Sequence, residues 1–311
     1  MSGTGDVTGE VGSGGVRLTD AGVRFGGVWA VRHATAIIPV GSVVAVVGTN
    51  GAGKTSLIRA LVGLQSLGEG SVEVFGGSIN SSDPAHLARI GYVSQRKPLY
   101  GYLRVREMLR FGEVANPRWS RSFATQRIHA VGIDPDKRID RLSGGQRTQV
   151  ALTMALAKQP DLLVLDEPLG DLDPLARQQV LADLMADVAE RGITVVLSSH
   201  MLGELESTCD QIIVLHAGRL LLAGQIDTIV GGHVLLTGPA DGLEQLSRHG
   251  DIIDQQRSGT SAKVLLHTSI DTRFIDPRWQ HHPVGMDTVV LGHLRAQRPA
   301  PEAGRRLEAA S

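Results

Sequence analysis

Three largely apolar runs punctuate the chain: 43–47 (VVAVV), 162–165 (LLVL) and 193–197 (ITVVL), the last interrupted only by Thr194. Runs of this kind, rich in β-branched side chains, predict strands buried on both faces, as in a parallel sheet. Each ends abruptly in different chemistry, at Gly48, at Asp166-Glu167 and at Ser198-Ser199-His200. Between them the apolar period lengthens to that of helices. This holds from residue 56 to 61, and over 100–141, with Val105, Met108 and Leu109 on one face. It recurs around Val150, Met154 and Ala157, and after Pro174 with Val180, Leu181, Leu184, Met185 and Val188. Asn116-Pro117 and Asp134-Pro135 break the long helical stretch. Residues 16–47 instead alternate short apolar runs with the turns Gly26-Gly27 and Pro39-Val40-Gly41, predicting antiparallel strands. Residues 71–77 read as a strand and tight turn, 90–95 as a strand, and 210–222 as a hairpin turning at 216–219. Farther on, 233–237 reads as a strand, 240–248 as a short helix, 252–267 as a hairpin about 258–261, and 287–294 as a last helix.

The fold class expected is therefore α/β, with a mixed, largely parallel core sheet, an antiparallel β subdomain and a helical subdomain over about 96–158. The main domain runs from 16 to 224, and a small α+β extension from 225 to 296. Residues 1–15 hold six glycines and no Lys or Arg, and read as a disordered leader without the features of a signal peptide. The tail 297–311, rich in Ala, Pro, Glu and Arg, reads as disordered.

Composition narrows the function. At 311 residues and 42% hydrophobic content the chain fills a real core, and its net charge of −1 argues against a nucleic-acid partner spread over its surface. Cys209 is the only cysteine, so no intrachain disulfide forms, which suits a reducing compartment. No apolar stretch approaches the ~18–20 residues that cross a bilayer. A cytoplasmic protein is expected, any membrane role coming through a partner. His281-His282 lack a third ligand at sensible spacing and read as a solvated loop.

The chemistry begins where the first apolar run stops. Gly48-Thr49-Asn50-Gly51-Ala52-Gly53-Lys54-Thr55 fits G-x-x-x-x-G-K-[ST] at every fixed position, between a strand and the helix that Ser56 leads into. Glycines let backbone N–H groups converge on phosphate oxygens, and the helix start adds positive potential. Lys54 can reach terminal phosphates and the Thr55 hydroxyl can hold Mg²⁺. Leu142-Ser143-Gly144-Gly145-Gln146 precedes another helix. Ser143 and Gln146 make a capping box, but capping gives no reason for Gly144 and Gly145, and a second phosphate-facing helix start accounts for them better. Asp166 can hold the metal and Glu167 can orient an attacking water. His200, at another strand end, can donate to a γ-phosphate. Phe25, before a Gly-Gly turn, is either a base-stacking aromatic or an ordinary core or edge-strand residue.

In this order the motifs resemble the ATP-binding cassette (ABC) ATPases over about 16–224. The resemblance implies that residues 48–56 and Phe25 bind ATP, and that Thr55, Gln95 and Asp166 serve the Mg²⁺ site. It implies Lys54, Glu167 as catalytic carboxylate and His200 as γ-phosphate switch in hydrolysis. It implies a second cassette as partner, homodimeric or heterodimeric. Ser143, Gly144, Gly145 and Gln146 would then cap the ATP of the opposite chain. It further implies an integral membrane permease. Residues 225–296 are similar to the extension of drug- and antibiotic-export cassettes, so export is expected. The rival reading is a soluble ABC ATPase of translation or DNA maintenance. Those usually carry paired cassettes or a long coiled coil, and neither pattern is seen here. Two departures stand out. Asp171 replaces a small residue near the expected dimer seam, and Arg104 replaces a threonine, with loss of a capping box expected.

Overall fold

The computed structural model describes residues 15–79, 83–199, 203, 206, 208–269 and 275–297. The chain divides into two compact units after Gln225, where a boundary at 224 was expected.

The first unit opens with β1 (Val16–Phe25) and β2 (Val28–Ile38), an antiparallel pair joined at Gly26 and Gly27, both with positive φ. β3 (Val43–Gly48) leads to α1 (Lys54–Leu61), then β4 (Glu69–Val74) and β5 (Gly77–Ser78) return to β1. The result is an antiparallel sheet in the order β2-β1-β4-β5. After α2 (Pro84–Ala88) comes β6 (Ile90–Val93), followed by the helical part. This comprises α3 (Val105–Ala115), α4 (Arg121–Ala130), a 3₁₀ turn at Ile139–Arg141 and α5 (Gly144–Leu156). Its own apolar cluster includes Val105, Met108, Ile128, Ile139 and Val150, with Leu109 and Met154 packed against it. Return to the core is by β7 (Leu162–Asp166), α6 (Pro174–Arg191), β8 (Thr194–Ser198), β9 (Gln211–His216) and β10 (Arg219–Gln225).

The six-stranded sheet has the order β10-β9-β3-β8-β7-β6, parallel except for the antiparallel β10. Every residue of β7 and β8 is buried, as continuous apolar runs require of strands covered on both faces. The order matters more than the count. It sets the carboxyl ends of β3, β8, β7 and β6 side by side, and the motifs sit at those ends.

Arg104 behaves otherwise than expected. Its backbone N–H still donates to Glu107 Oε2 at 2.8 Å, so half of the capping box survives. A guanidinium cannot accept a hydrogen bond, and the side chain instead donates to the Asp136 carbonyl at 2.6 Å. In place of a side-chain cap, Arg104 ties the start of α3 to the turn that follows α4.

The second unit contains α7 (Ile226–Gly231), β11 (His233–Pro239), α8 (Leu243–Leu246), β12 (Asp251–Ser258), β13 (Ser261–His267), β14 (Gln280–His282) and α9 (Met286–Ala296). Its sheet runs β12-β13-β11-β14 around a core with Leu236, Val264, Leu266 and Trp279. The helix expected over 240–248 is split into a 3₁₀ turn at Ala240–Gly242 and the single turn of α8. His281 and His282 do not form the expected loop. They lie on an exposed edge strand, paired with Leu236 and Leu235. Backbone pairing alone holds that strand, so no apolar alternation marked it.

Candidate nucleotide site

Two glycines after β3 are fixed by crowding within the chain. Gly48 has φ +156°, and a Cβ there would lie 2.2 Å from the Leu215 carbonyl oxygen. Gly53 has φ +104°, and its Cβ would meet the Ala30 carbonyl oxygen at 2.4 Å. Gly53 is the N-cap of α1, where no side chain caps the helix and no acid occupies the first turn. The first-turn amides thus face the loop without an acceptor from a capping side chain, as an anion site needs. Lys54 is only 6% exposed. Its Nζ donates to the Gly48 carbonyl at 2.9 Å and the Thr49 carbonyl at 3.4 Å, and lies 3.7 Å from Glu167 Oε1. A buried ammonium held by carbonyls and one carboxylate, beside uncapped amides, is arranged to receive phosphate oxygens.

The acids stand at the end of β7. Asp166, 2% exposed, accepts at Oδ1 from Thr55 Oγ1 (3.2 Å) and from Ser198 Oγ (3.0 Å). Ser198 Oγ in turn accepts from the Glu167 N–H at 2.9 Å. In sequence this serine is only a residue that ends a strand, with no role given to it; the available signal is its hydroxyl at the carboxyl end of β8. Glu167 has φ +45°, in the left-handed region, turning the chain as it leaves the strand. Gln95, past the end of β6, donates from Nε2 to Glu167 Oε2 at 3.4 Å. Burial, then the Asp166 charge, push the nearby Tyr92 phenol above its ordinary pKa.

These groups enclose a cavity of about 490 Å³ lined by residues 50–56, Gln95, Glu167 and Ala30. Ala30, carried in by β2, had no sequence signal. Gly48, Thr49 and Asp166 support the cavity from behind its lining. Phe25 is not among the lining residues; it is 46% exposed at the end of β1. His200 lies outside the described residues. Cys209 is buried and its thiol is pushed up to about 12, by desolvation first and then by Asp210, so it is chemically quiet.

The second glycine-bearing helix start does not reach this cavity. Ser143 is the N-cap of α5, its Oγ accepting from the Gln146 N–H at 3.2 Å while its own N–H donates to Gln146 Oε1 at 3.3 Å. Lys137 Nζ also donates to that oxygen, at 3.2 Å. Neither glycine is crowded. A Cβ on Gly144 would find the Asp171 carbonyl oxygen 3.7 Å away, and one on Gly145 would find only Leu172 Cδ2 at 3.9 Å.

The chain is similar to known proteins in sequence and in fold. Residues 31–170 match the family described as ABC transporter. The iron import ATP-binding protein FbpC 1 of Rhodococcus jostii is 34% identical over 250 residues, 73% of this chain and 70% of that relative. The chain belongs to the ABC transporter ATPases. The molybdenum import ATP-binding protein ModC of Aromatoleum aromaticum is 38% identical over 201 residues, 62% of this chain. The chain spans about half of ModC's length, 53%, against seven tenths of FbpC 1. Among solved structures, cbiO1 of Clostridium perfringens, part of the ABC transporter complex cbiONQ, superposes with TM-score 0.62 at 26% identity. That match covers 70% of this chain and 90% of cbiO1. An ABC cassette is thus the architecture in which the site stands.

The donor set suits Mg²⁺, a hard cation that prefers oxygen. Thr55 Oγ1 and Asp166 Oδ1 already meet, and the Gln95 side chain stands across the cavity lining. Among the described residues no group of three acidic, histidine or cysteine side chains converges, so an ion here would draw its remaining oxygens from nucleotide and water. Among those residues, too, no helix is long and apolar enough to cross a membrane.

Proposed function

We propose that this chain binds Mg-ATP at the cavity, hydrolyses it as one half of a cassette dimer, and drives a separate integral membrane transporter from the cytoplasmic face. The observation that carries the reading is the convergence of Lys54, Thr55, Gln95, Asp166 and Glu167 around uncapped helix amides. In this reading residues 48–56 cradle the phosphates, and Lys54 exchanges its carbonyl partners for β- and γ-phosphate oxygens. Thr55 and Asp166, with Gln95 alongside, would hold Mg²⁺, which neutralises charge building on the phosphates. Glu167, within hydrogen-bond reach of Gln95 and close to Lys54, orients the attacking water and takes its proton. His200 keeps the role of γ-phosphate contact that the family resemblance implied.

The open glycines of α5 support a partner cassette. Among the described residues nothing crowds Gly144 or Gly145, and in this reading their lack of side chains serves something that approaches from outside. Closure on ATP would place Ser143, Gly144 and Gly145 over the nucleotide of the opposite chain, whether that chain is identical or not. Phe25, exposed at the end of β1 and absent from the cavity lining, keeps its assignment as base-stacking aromatic in this reading. Export, expected from the C-terminal extension, finds no support in the relatives: FbpC 1 and ModC are both import proteins by name. Those names favour uptake, and favour a transporter over a soluble role in translation or DNA maintenance.

Glu167→Gln tests the assignment. The amide keeps the shape but cannot take a proton, so turnover should fall by about 10²-fold or more while ATP binding persists. Gel filtration with ATP should show a stabilised dimer. Phosphate release at the wild-type rate would remove Glu167 from hydrolysis.

A further inference from the structure

β6 and β7 are parallel neighbours, paired as far as Val93 with Leu165, so the loops leaving them run side by side. Two rungs join those loops. One is the Gln95–Glu167 hydrogen bond, long at 3.4 Å. The other is an ion pair between Lys97 Nζ and Asp171 Oδ2 at 3.1 Å.

The second rung is lopsided. The Lys97 side chain is 5% exposed and that of Asp171 is 75% exposed. A buried ammonium requires a counter-charge, and among the described residues Asp171 is the one acid that pairs with it. The Lys97 backbone is constrained as well. Its φ is +44°, nearly that of Glu167 at +45°, a conformation that a side chain disfavours and that persists only where surroundings enforce it. Its N–H donates to the Ser94 carbonyl at 2.9 Å, closing the turn that presents Gln95. One residue therefore fixes the Gln95 turn by its main chain and grips the Glu167 loop by its side chain. The gripped residue, Asp171, also lies near the start of α5: a Cβ placed on Gly144 would find its carbonyl oxygen at 3.7 Å.

We propose that Lys97 is a positioning residue for hydrolysis, acting through Asp171 to keep the Gln95 amide in register with the Glu167 carboxylate. The proposal rests on the hydrolytic role given above to Glu167. The short ion pair holds the long amide–carboxylate bond in place.

Single-turnover hydrolysis and nucleotide affinity of the full chain test it in Lys97→Met, Asp171→Ala and the double variant. Lys97→Met leaves only a carboxylate already in water, so the fold is kept even if Asp171→Ala, which strands a buried ammonium, is unstable. The rate should fall about tenfold in Lys97→Met with affinity within about twofold, and the double variant should be no worse, since the pair acts as a unit. Additive losses, an unchanged rate, or affinity falling in step with rate would each overturn the role. Amide hydrogen exchange of residues 167–173 needs no turnover. It should quicken about tenfold in Lys97→Met, and exchange like wild type would also sink the latch. Glu167→Gln separates the two readings. If Glu167→Gln retains turnover, the hydrolytic assignment fails; if it is dead while Lys97→Met is unimpaired, only the latch fails.

Discussion

The two glycine-bearing helix starts of the cassette look alike in sequence and differ in almost every physical respect. At the start of α1 the chain itself forbids side chains on Gly48 and Gly53, and no side chain caps the helix. At the start of α5 a complete capping box satisfies the helix, and a Cβ on Gly144 or Gly145 would make only ordinary contacts at 3.7–3.9 Å. The first end has the uncapped amides that an anion site needs. The second is a finished helix end whose missing side chains no described residue explains. In the function proposed above, the crowded glycines serve the chain's own site and the uncrowded pair serves a partner.

The sharpest way to break this contrast is to give the two ends to different chains. Lys54→Ala and Ser143→Arg should each be inactive alone if every site takes its loop from one chain and its α5 start from the other. Mixing them at matched total protein creates heterodimers with one doubly defective site and one intact site, and phosphate release should return. Differentially tagged heterodimers that form with ATP yet hydrolyse none would show that the α5 start does not act across the interface, or that both sites must be whole.

A smaller effect separates the two kinds of glycine. Gly53→Ala must adopt φ near +104° against the Ala30 carbonyl, and should lose at least about 1–2 kcal/mol of stability in denaturant titration. Gly144→Ala meets no clash and lies in a helix, so stability should hold or rise by up to about 1 kcal/mol while turnover drops. Equal destabilisation by both would erase the distinction.

The smallest expected change comes from stopping the chain after Gln225. Both helix starts and the whole cavity lining precede that residue, so affinity for ATP should stay within about twofold. A folded but ATP-blind truncation would show that the second unit contributes to the site.

Much of this site was legible because its parts are local. The phosphate loop is a run of backbone conformations, and the capping box at Ser143 is a spacing of three residues. The same locality explains what was missed. Arg104 kept half its cap because the surviving bond belongs to Glu107, not to the replaced side chain. Ser198 acquires meaning only beside Asp166, and Ala30 only because β2 passes Gly53. Strand β14 is held by pairing to β11, which leaves no periodicity in its own three residues.

The sequence by itself determined most elements of the first unit, the phosphate loop, the acids that close β7, and the capped end of α5, since each follows from short-range sterics, hydrogen bonding and apolar period. Tertiary structure decided which of these meet. Thr55 finds Asp166 across 111 residues, Gln95 finds Glu167 across 72, and Lys97 finds Asp171 across 74. Those encounters follow from the strand order β3-β8-β7-β6, which is set by packing both faces of a parallel sheet and by no property of any one strand. Tertiary structure also decided that Gly53 is walled in while Gly144 is open, because a glycine's surroundings come from distant segments that its own neighbours in sequence cannot specify.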